Sequence, residues 1–299
     1  MQMSQASWAP AYARGTKRGR VLQFSWQKDF GMPKFMKSRI GRGITRGVMA
    51  GALATGALAA APGSASAIIG GEPADESYSF VTAIDMLRDD GAYRFRCGGA
   101  LIDDQWLLTA AHCVYDTETG ETKDPSLFTV RVGSNDRTTG GETAGVSEIR
   151  VNPDYVATGR AGDLALFKLD HPVKAKPVRL ASSVGVAGTK FRVIGWGYTV
   201  DGGPTLPNTL NQIDTRVLPD GPCVGGEYGI DRGDFCADNP GGVSGPCNGD
   251  SGTPAVKKVY GRWELIGADS RSLGDCGVTK EVLPSVPYHR TWINDAIAG

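Results

Sequence analysis

An all-β domain is what this sequence predicts, and three features point there. From Ile68 onward the chain is a succession of short apolar runs, turn residues separate them, and its 42 glycines and 17 prolines are scattered. Short runs rich in Val, Ile and Phe, bounded by such turns, read as strands, and their spacing suggests sandwiches or barrels. A strict period or a long biased tract would mean collagen or a disordered linker, and neither is present. No repeat of solenoid or propeller length is visible.

Taken in order, the expected strands include Phe80–Ile84, Leu127–Val132, Leu164–Leu169 and Phe191–Ile194. Asp201-Gly202-Gly203-Pro204 and Asn239-Pro240-Gly241-Gly242 are the clearest turns between them. The last segment, Tyr288 to Ala298, carries Trp292, Ile293, Ala296 and Ile297 at helical spacing and is expected to be a terminal helix.

Residues 1–67 are of another kind. They hold ten basic side chains against Asp29 alone, out of 32 and 32 in the chain, which leaves 22 basic and 31 acidic residues beyond. An acidic body offers no counter-charge to phosphates, so no nucleic acid is expected as a partner. After the basic stretch comes the apolar run Val48 to Ala61, then Ala65-Ser66-Ala67, a small-x-small site that a signal peptidase cuts. The run is too short and too rich in Ala and Gly for a membrane span. Residues 1–67 are therefore expected to be a signal region, with a start at a later methionine such as Met36 or a short propeptide as variants. No membrane association is expected after its removal. No Arg-Arg pair precedes the apolar run, so twin-arginine export is not suggested.

All six cysteines, Cys97, Cys113, Cys223, Cys236, Cys247 and Cys276, lie beyond that region. An even number in an exported chain suggests disulfides, and six allow 15 pairings. No Cys-x-x-Cys or Cys-x-x-His pair suggests zinc, and no metal or cofactor is expected.

A hydroxyl becomes a useful nucleophile only with a base to take its proton, a group to orient that base, and donors for the resulting oxyanion. Cys247-Asn248-Gly249-Asp250-Ser251-Gly252-Thr253-Pro254 could supply the hydroxyl, because flanking glycines let a serine stand free of the backbone. Thr253 at its last position weakens a Gly-x-Ser-x-Gly elbow and disfavours an esterase-like hydrolase. Of the three histidines, His112 ends the apolar run Leu107 to Ala111 beside Cys113. A histidine buried there needs a partner, which makes it a better base than His171 or His289, whose polar surroundings suggest solvation or local bonding.

Leu108-Thr109-Ala110-Ala111-His112-Cys113, Asp163-Leu164-Ala165-Leu166 and Gly249-Asp250-Ser251-Gly252 occur in the order and approximate spacing of the chymotrypsin/trypsin-like serine proteases. Ile68-Ile69-Gly70-Gly71 resembles their mature N-terminus, and Cys97-Gly98-Gly99, Gly195-Trp196-Gly197 and Trp292-Ile293 match as well. The chain thus resembles a bacterial secreted member of that family over residues 68 to 299. The resemblance implies two six-stranded antiparallel Greek-key β-barrels, divided near residues 180–190, with the active site in the cleft between them and a C-terminal helix.

It also implies roles. Ser251 would be the nucleophile, His112 the general base and Asp163 its orienting partner, with the amides of Gly249 and Ser251 as the oxyanion hole. An Ile68 ammonium would pair with Asp250 after one cut behind Ala67, since the residue directly before Ile68 is neither Lys nor Arg. The disulfides would be Cys97–Cys113, Cys223–Cys236 and Cys247–Cys276. Substrates would be proteins or peptides, protein protease inhibitors would be partners, and the enzyme would be a secreted, extracellular monomer. A catalytically inactive homologue acting as a binding module is the alternative.

Specificity departs from the best-known members. Gly245 stands where trypsin-like enzymes carry a pocket-floor aspartate, and Ser270-Arg271-Ser272 replaces the usual Ser-Trp-Gly wall. Glu281 falls where many relatives have a pocket glycine. It would either supply a displaced negative charge for a basic side chain or turn outward, leaving a small or neutral pocket. No loop with paired glutamates lies between Gly133 and Asn152, so the family's calcium site is not carried over.

Overall fold

A computed structural model describes residues 68–299 apart from Gly159 and Glu227, so the expected signal region lies outside the described residues. The longer strands form two rings. In the first, β1 (Val81–Leu87), β2 (Tyr93–Asp103), β3 (Trp106–Thr109), β4 (Phe128–Val132), β5 (Glu142–Val151) and β6 (Ala165–Leu169) close a barrel in the order β1-β2-β3-β6-β5-β4. In the second, β7 (Lys190–Gly195), β8 (Asn211–Leu218), β9 (Asp234–Ala237), β10 (Pro254–Val259), β11 (Arg262–Ala268) and β12 (Glu281–Pro284) run in the order β11-β10-β7-β8-β9-β12. A single antiparallel bridge between Gly267 of β11 and Ser285, just past β12, joins the ends of that path. The first half is a fully hydrogen-bonded barrel; the second is a barrel closed at one point.

Local sequence explains the strands. In β4, Phe128, Val130 and Val132 are buried while Thr129 and Arg131 face outward, the period-two signature of a sheet with one dry face. Register shifts at Ile84/Asp85 in β1 and Leu101/Asp103 in β2 supply the bends that closure requires. Phe128 and Phe167 meet inside the first barrel with ring centroids 5.2 Å apart. Phe191, Val193, Ile213, Phe235, Ile266 and Leu283 fill the second, together with Ile68. Burying each such side chain contributes about 1.5–3 kcal/mol.

The terminal helix α2 spans Val286–Ala298, starting two residues before the expected Tyr288 because the Ser285 hydroxyl caps it, accepting from the Tyr288 amide at 3.3 Å. The short α1, Pro153–Thr158, was not foreseen, since a single turn and a half carries no readable periodicity. Three disulfides, Cys97–Cys113, Cys223–Cys236 and Cys247–Cys276, take up all six cysteines in the expected pairing.

Candidate active site

His112 lies in the 3₁₀ turn Ala111–Cys113 that follows β3, and Asp163 lies just ahead of β6, the strand beside β3. Adjacent strands thus deliver the two side chains to one rim. Asp163 is 3% exposed and its carboxylate is fully used. Oδ1 accepts from the His112 amide at 2.9 Å, and Oδ2 lies 2.7 Å from His112 Nδ1 and 2.7 Å from the Ser270 hydroxyl, which donates to it. A carboxylate there holds the proton on Nδ1 and leaves Nε2 as the basic nitrogen. Arg96 pins the same turn, donating to the carbonyls of His112 and Cys113.

Burial works against charge on both groups, and each overcomes it through the other. For His112 the desolvation is outweighed by the field and hydrogen bond of Asp163, so its pKa stands above the ordinary 6.5. For Asp163 the desolvation is outweighed by His112 and by the donors Ser270 and the His112 amide, so its pKa stands below the usual carboxylate range.

Ser251 belongs to the second half, at the turn before β10. The turn is held by Asp250 N to Cys247 O and Thr253 N to Asp250 O, both 2.8 Å, and is tied to β2 by Gly98 N donating to Ser251 O at 2.8 Å. Gly252 has φ +77°, and a Cβ there would stand 2.2 Å from Thr109 Oγ1 and 2.5 Å from Gly98 O, so only glycine fits. Thr253 is fully buried against Gly98, whose own Cβ would lie 2.2 Å from its methyl. The amides of Gly249 and Ser251 donate to no group among the described residues, whereas those of Asp250, Gly252 and Thr253 all do. Ser251 and His112 border one cleft of about 360 Å³, with no hydrogen bond between the hydroxyl and the ring. Such bonds are often long in unliganded enzymes and tighten with substrate.

Asp250 is fully buried. Its Oδ1 accepts from Gly197 N at 2.8 Å and its Oδ2 from Cys247 N at 3.0 Å, and burial pushes its pKa up to about 7 against those two bonds. No ion pair joins it to Ile68, because in the uncut chain the Ile68 nitrogen is an uncharged amide. The segment is nonetheless seated: Ile68 is fully buried, and Ile69 exchanges two 3.0 Å backbone bonds with Gly245.

Of the expected pocket residues, Ser270 and Ser272 border the Ser251 cleft, and Ser270 turns its hydroxyl onto Asp163. Glu281 is turned inward, 2% exposed, with its oxygens both 2.8 Å from the Ser272 hydroxyl that donates to them. Gly245 is buried beside it. Asp269 had gone unnoticed in the sequence, and Arg271 had been noted only as part of the pocket wall. Asp269 also borders the cleft. Arg271 donates to the Tyr228 and Gly229 carbonyls and pairs with buried Asp234 at 2.5 Å. A second cavity of about 650 Å³ runs from His112 and Asp163 to Tyr155, Arg160, Tyr228 and Asp231. His171 is solvated beside Asp170, but His289 is 4% exposed and bonds Asn152, since α2 packs it inward.

Among the described residues two clusters have donor atoms close enough for a metal, Cys97/His112/Cys113 and Asp201/Cys247/Cys276, but in each the two cysteines are joined to one another in a disulfide. They offer no thiolate to an ion.

A family model described as trypsin matches residues 68–293. A Mus musculus protein named tryptase is 31% identical over 257 residues, covering 79% of this chain and 91% of that protein. The Rattus norvegicus cationic trypsin-3 is 35% identical over 175 residues, covering 56% of this chain and 66% of that protein. Both relatives are mammalian, so they lend no support to a bacterial origin.

Proposed function

We propose, from the premise that the chain belongs to the trypsin family, that it is a secreted serine endopeptidase acting through Ser251, His112 and Asp163. One observation carries the reading: His112 is bonded to a buried, fully engaged carboxylate, across a shared cleft from a serine flanked by two unspent amides. His112 Nε2 would take the Ser251 proton as the hydroxyl attacks the scissile carbonyl, then pass it to the leaving amine. The Gly249 and Ser251 amides would receive the oxyanion; removing one such donor typically costs about 3 kcal/mol of transition-state stabilisation. Asp163 would stay ionised and steady the imidazolium.

The N-terminal region fits the same reading. A cut behind Ala67 would both remove the signal and create an Ile68 ammonium. That charge would give buried Asp250 the cation it lacks, lowering its pKa and fixing the turn that carries Ser251. Folded substrates, peptides and protein inhibitors would meet the enzyme outside the cell, as a monomer of residues 68–299.

The test is labelling of the secreted protein with a fluorophosphonate, followed by N-terminal sequencing. The expected result is a single adduct on Ser251, abolished by Ser251→Ala, in a chain starting at Ile68. A folded protein that starts at Ile68 and takes no label would instead be an inactive homologue, and an active enzyme starting upstream would remove the one-cut scheme.

A further inference from the structure

We propose that Asn248 is a modification site at which the enzyme silences itself: its side-chain amide closes onto the Gly249 nitrogen, ammonia leaves, and the oxyanion hole loses a hydrogen. The inference rests on the reading of the Gly249 amide as an oxyanion donor and gives that site a lifetime.

Asn248-Gly249 is the one Asn-Gly pair in the sequence. An asparagine places its amide carbon, Cγ, within ring-closing reach of the next residue's nitrogen. A Cβ on that next residue crowds the approach, and glycine has none. Of the other asparagines among the described residues, Asn152 and Asn239 precede prolines, which have no N–H to give up. Asn135, Asn208, Asn211 and Asn294 precede residues whose side chains stand in the way.

The fold leaves the reacting atoms free. Asn248 is exposed, borders the Ser251 cleft, and its side chain makes no hydrogen bond among the described residues. The Gly249 amide, the nitrogen that would attack, donates to nothing among them. Backbone N–H groups inside a fold are almost always paired. This one is withheld for a substrate oxygen, and the same freedom opens it to Cγ. The bonds that hold the turn avoid the reacting atoms: Tyr198 N donates to Asn248 O at 3.0 Å and Asp250 N to Cys247 O at 2.8 Å, and both carbonyls survive ring closure. A side chain at position 249 would shield Asn248. Its Cβ, however, would stand 2.8 Å from Leu206 Cδ2 and 3.1 Å from Gly197 Cα, at a φ of +99°. The hole and its weak point therefore come together.

The reaction balances with water as its only co-reactant. The Gly249 nitrogen bonds to Asn248 Cγ, the Cγ–Nδ2 bond breaks, and Nδ2 leaves as ammonia with the proton that Gly249 gave up. The resulting succinimide has no N–H at Gly249, so the Ser251 amide alone receives the oxyanion. Loss of one such donor costs about a hundred- to a thousandfold in kcat. Water then opens the ring at either carbonyl. Opening at Cγ gives aspartate, which restores the N–H but sets a carboxylate beside the developing oxyanion. Opening at the main-chain carbonyl gives isoaspartate, which routes the backbone through an extra carbon and displaces the amide.

In the test, Ser251→Ala protein, which cannot digest itself, is aged at mildly alkaline pH and its peptides are mapped by mass, with isoaspartyl methyltransferase marking isoaspartate. Amide-to-acid conversion at Asn248 should outpace that at every other described asparagine and quicken as pH rises. Active enzyme aged in parallel should lose fluorophosphonate labelling in step with that conversion, counted per intact chain. Its converted fraction, separated by the added negative charge, should turn over at least about a hundredfold more slowly. Asn248→Gln keeps the amide but needs a six-membered ring, and should hold its activity through the same period. An Asn248 still intact after activity has decayed, or an Asn248→Gln enzyme that ages like the wild type, would overturn the proposal. Conversion without loss of turnover would overturn the silencing and the place of Gly249 in the oxyanion hole. Fresh enzyme that never labels at Ser251 would bring down the protease reading as well, a failure told apart because mass mapping needs no activity.

Discussion

Replacing Asp269 with valine should make the protein more stable, and increasingly so as pH rises. Wild type buries a carboxylate whose Oδ1 has no partner, at 5% exposure. An unsatisfied buried polar atom costs about 1–3 kcal/mol, which a methyl-bearing side chain of similar girth would recover. Ionisation adds a second part. The folded-state pKa is raised well above the unfolded 3.8, by desolvation and then by the charges of Glu281, Asp250 and Asp163. Above pH 3.8 the unfolded chain sheds its proton while the folded one keeps it, so stability falls as pH climbs toward the folded pKa. Each pH unit in that window is about 1.4 kcal/mol, and valine escapes it. A domain of this size gains roughly 2–4 °C in Tm per kcal/mol. The variant should therefore melt several degrees higher, and the gap should widen as pH rises from 3.8 toward the folded pKa. Calorimetry or far-UV dichroism in a Ser251→Ala background, which prevents self-digestion, would measure it. An unchanged or lower Tm, or a gap that narrows with pH, would refute the reasoning.

Other outcomes follow from the same contacts. Ser270→Ala removes a hydrogen bond to an ionised carboxylate and should lower kcat/KM about tenfold or more while shifting the acid limb of the pH profile, because Asp163 and His112 titrate as a pair. Arg271→Ala strands Asp234, whose side chain is fully buried, and should cost about 3–5 kcal/mol, read as a fall in denaturation midpoint. Gly197→Ala would place a Cβ 2.1 Å from Asp250 Oδ2; a loss of about 1–3 kcal/mol is expected, with Ser251 labelling slowed.

The strands and the residues of the proposed triad were legible because each rests on a local pattern: alternation in β4, a serine between glycines, a histidine closing an apolar run. The disulfide pairing came from the resemblance, and spacing alone would not have chosen it. What stayed hidden depends on where distant segments meet. Asp269 reads as an unremarked acid between an alanine and a serine, and only the fold buries it at the edge of the Ser251 cleft, within the field of other carboxylates. Asp234 and Arg271 are 37 residues apart. His289 read as solvated or locally bonded, whereas it is buried in α2 and bonded to Asn152, 137 residues away in the chain.

The backbone at Ile68 bears on how a cut behind Ala67 would proceed. Its φ is +67°, a setting that a β-branched residue adopts only under compulsion, here with its side chain locked in the second core and Ile69 zipped to Gly245. Such a torsion stores on the order of 1–3 kcal/mol. A residue that begins a chain has no φ, so hydrolysis would abolish the clash without disturbing the buried side chain. Rejoining the two ends would have to wind that torsion back up, which makes the step a ratchet: the fold itself resists going backward.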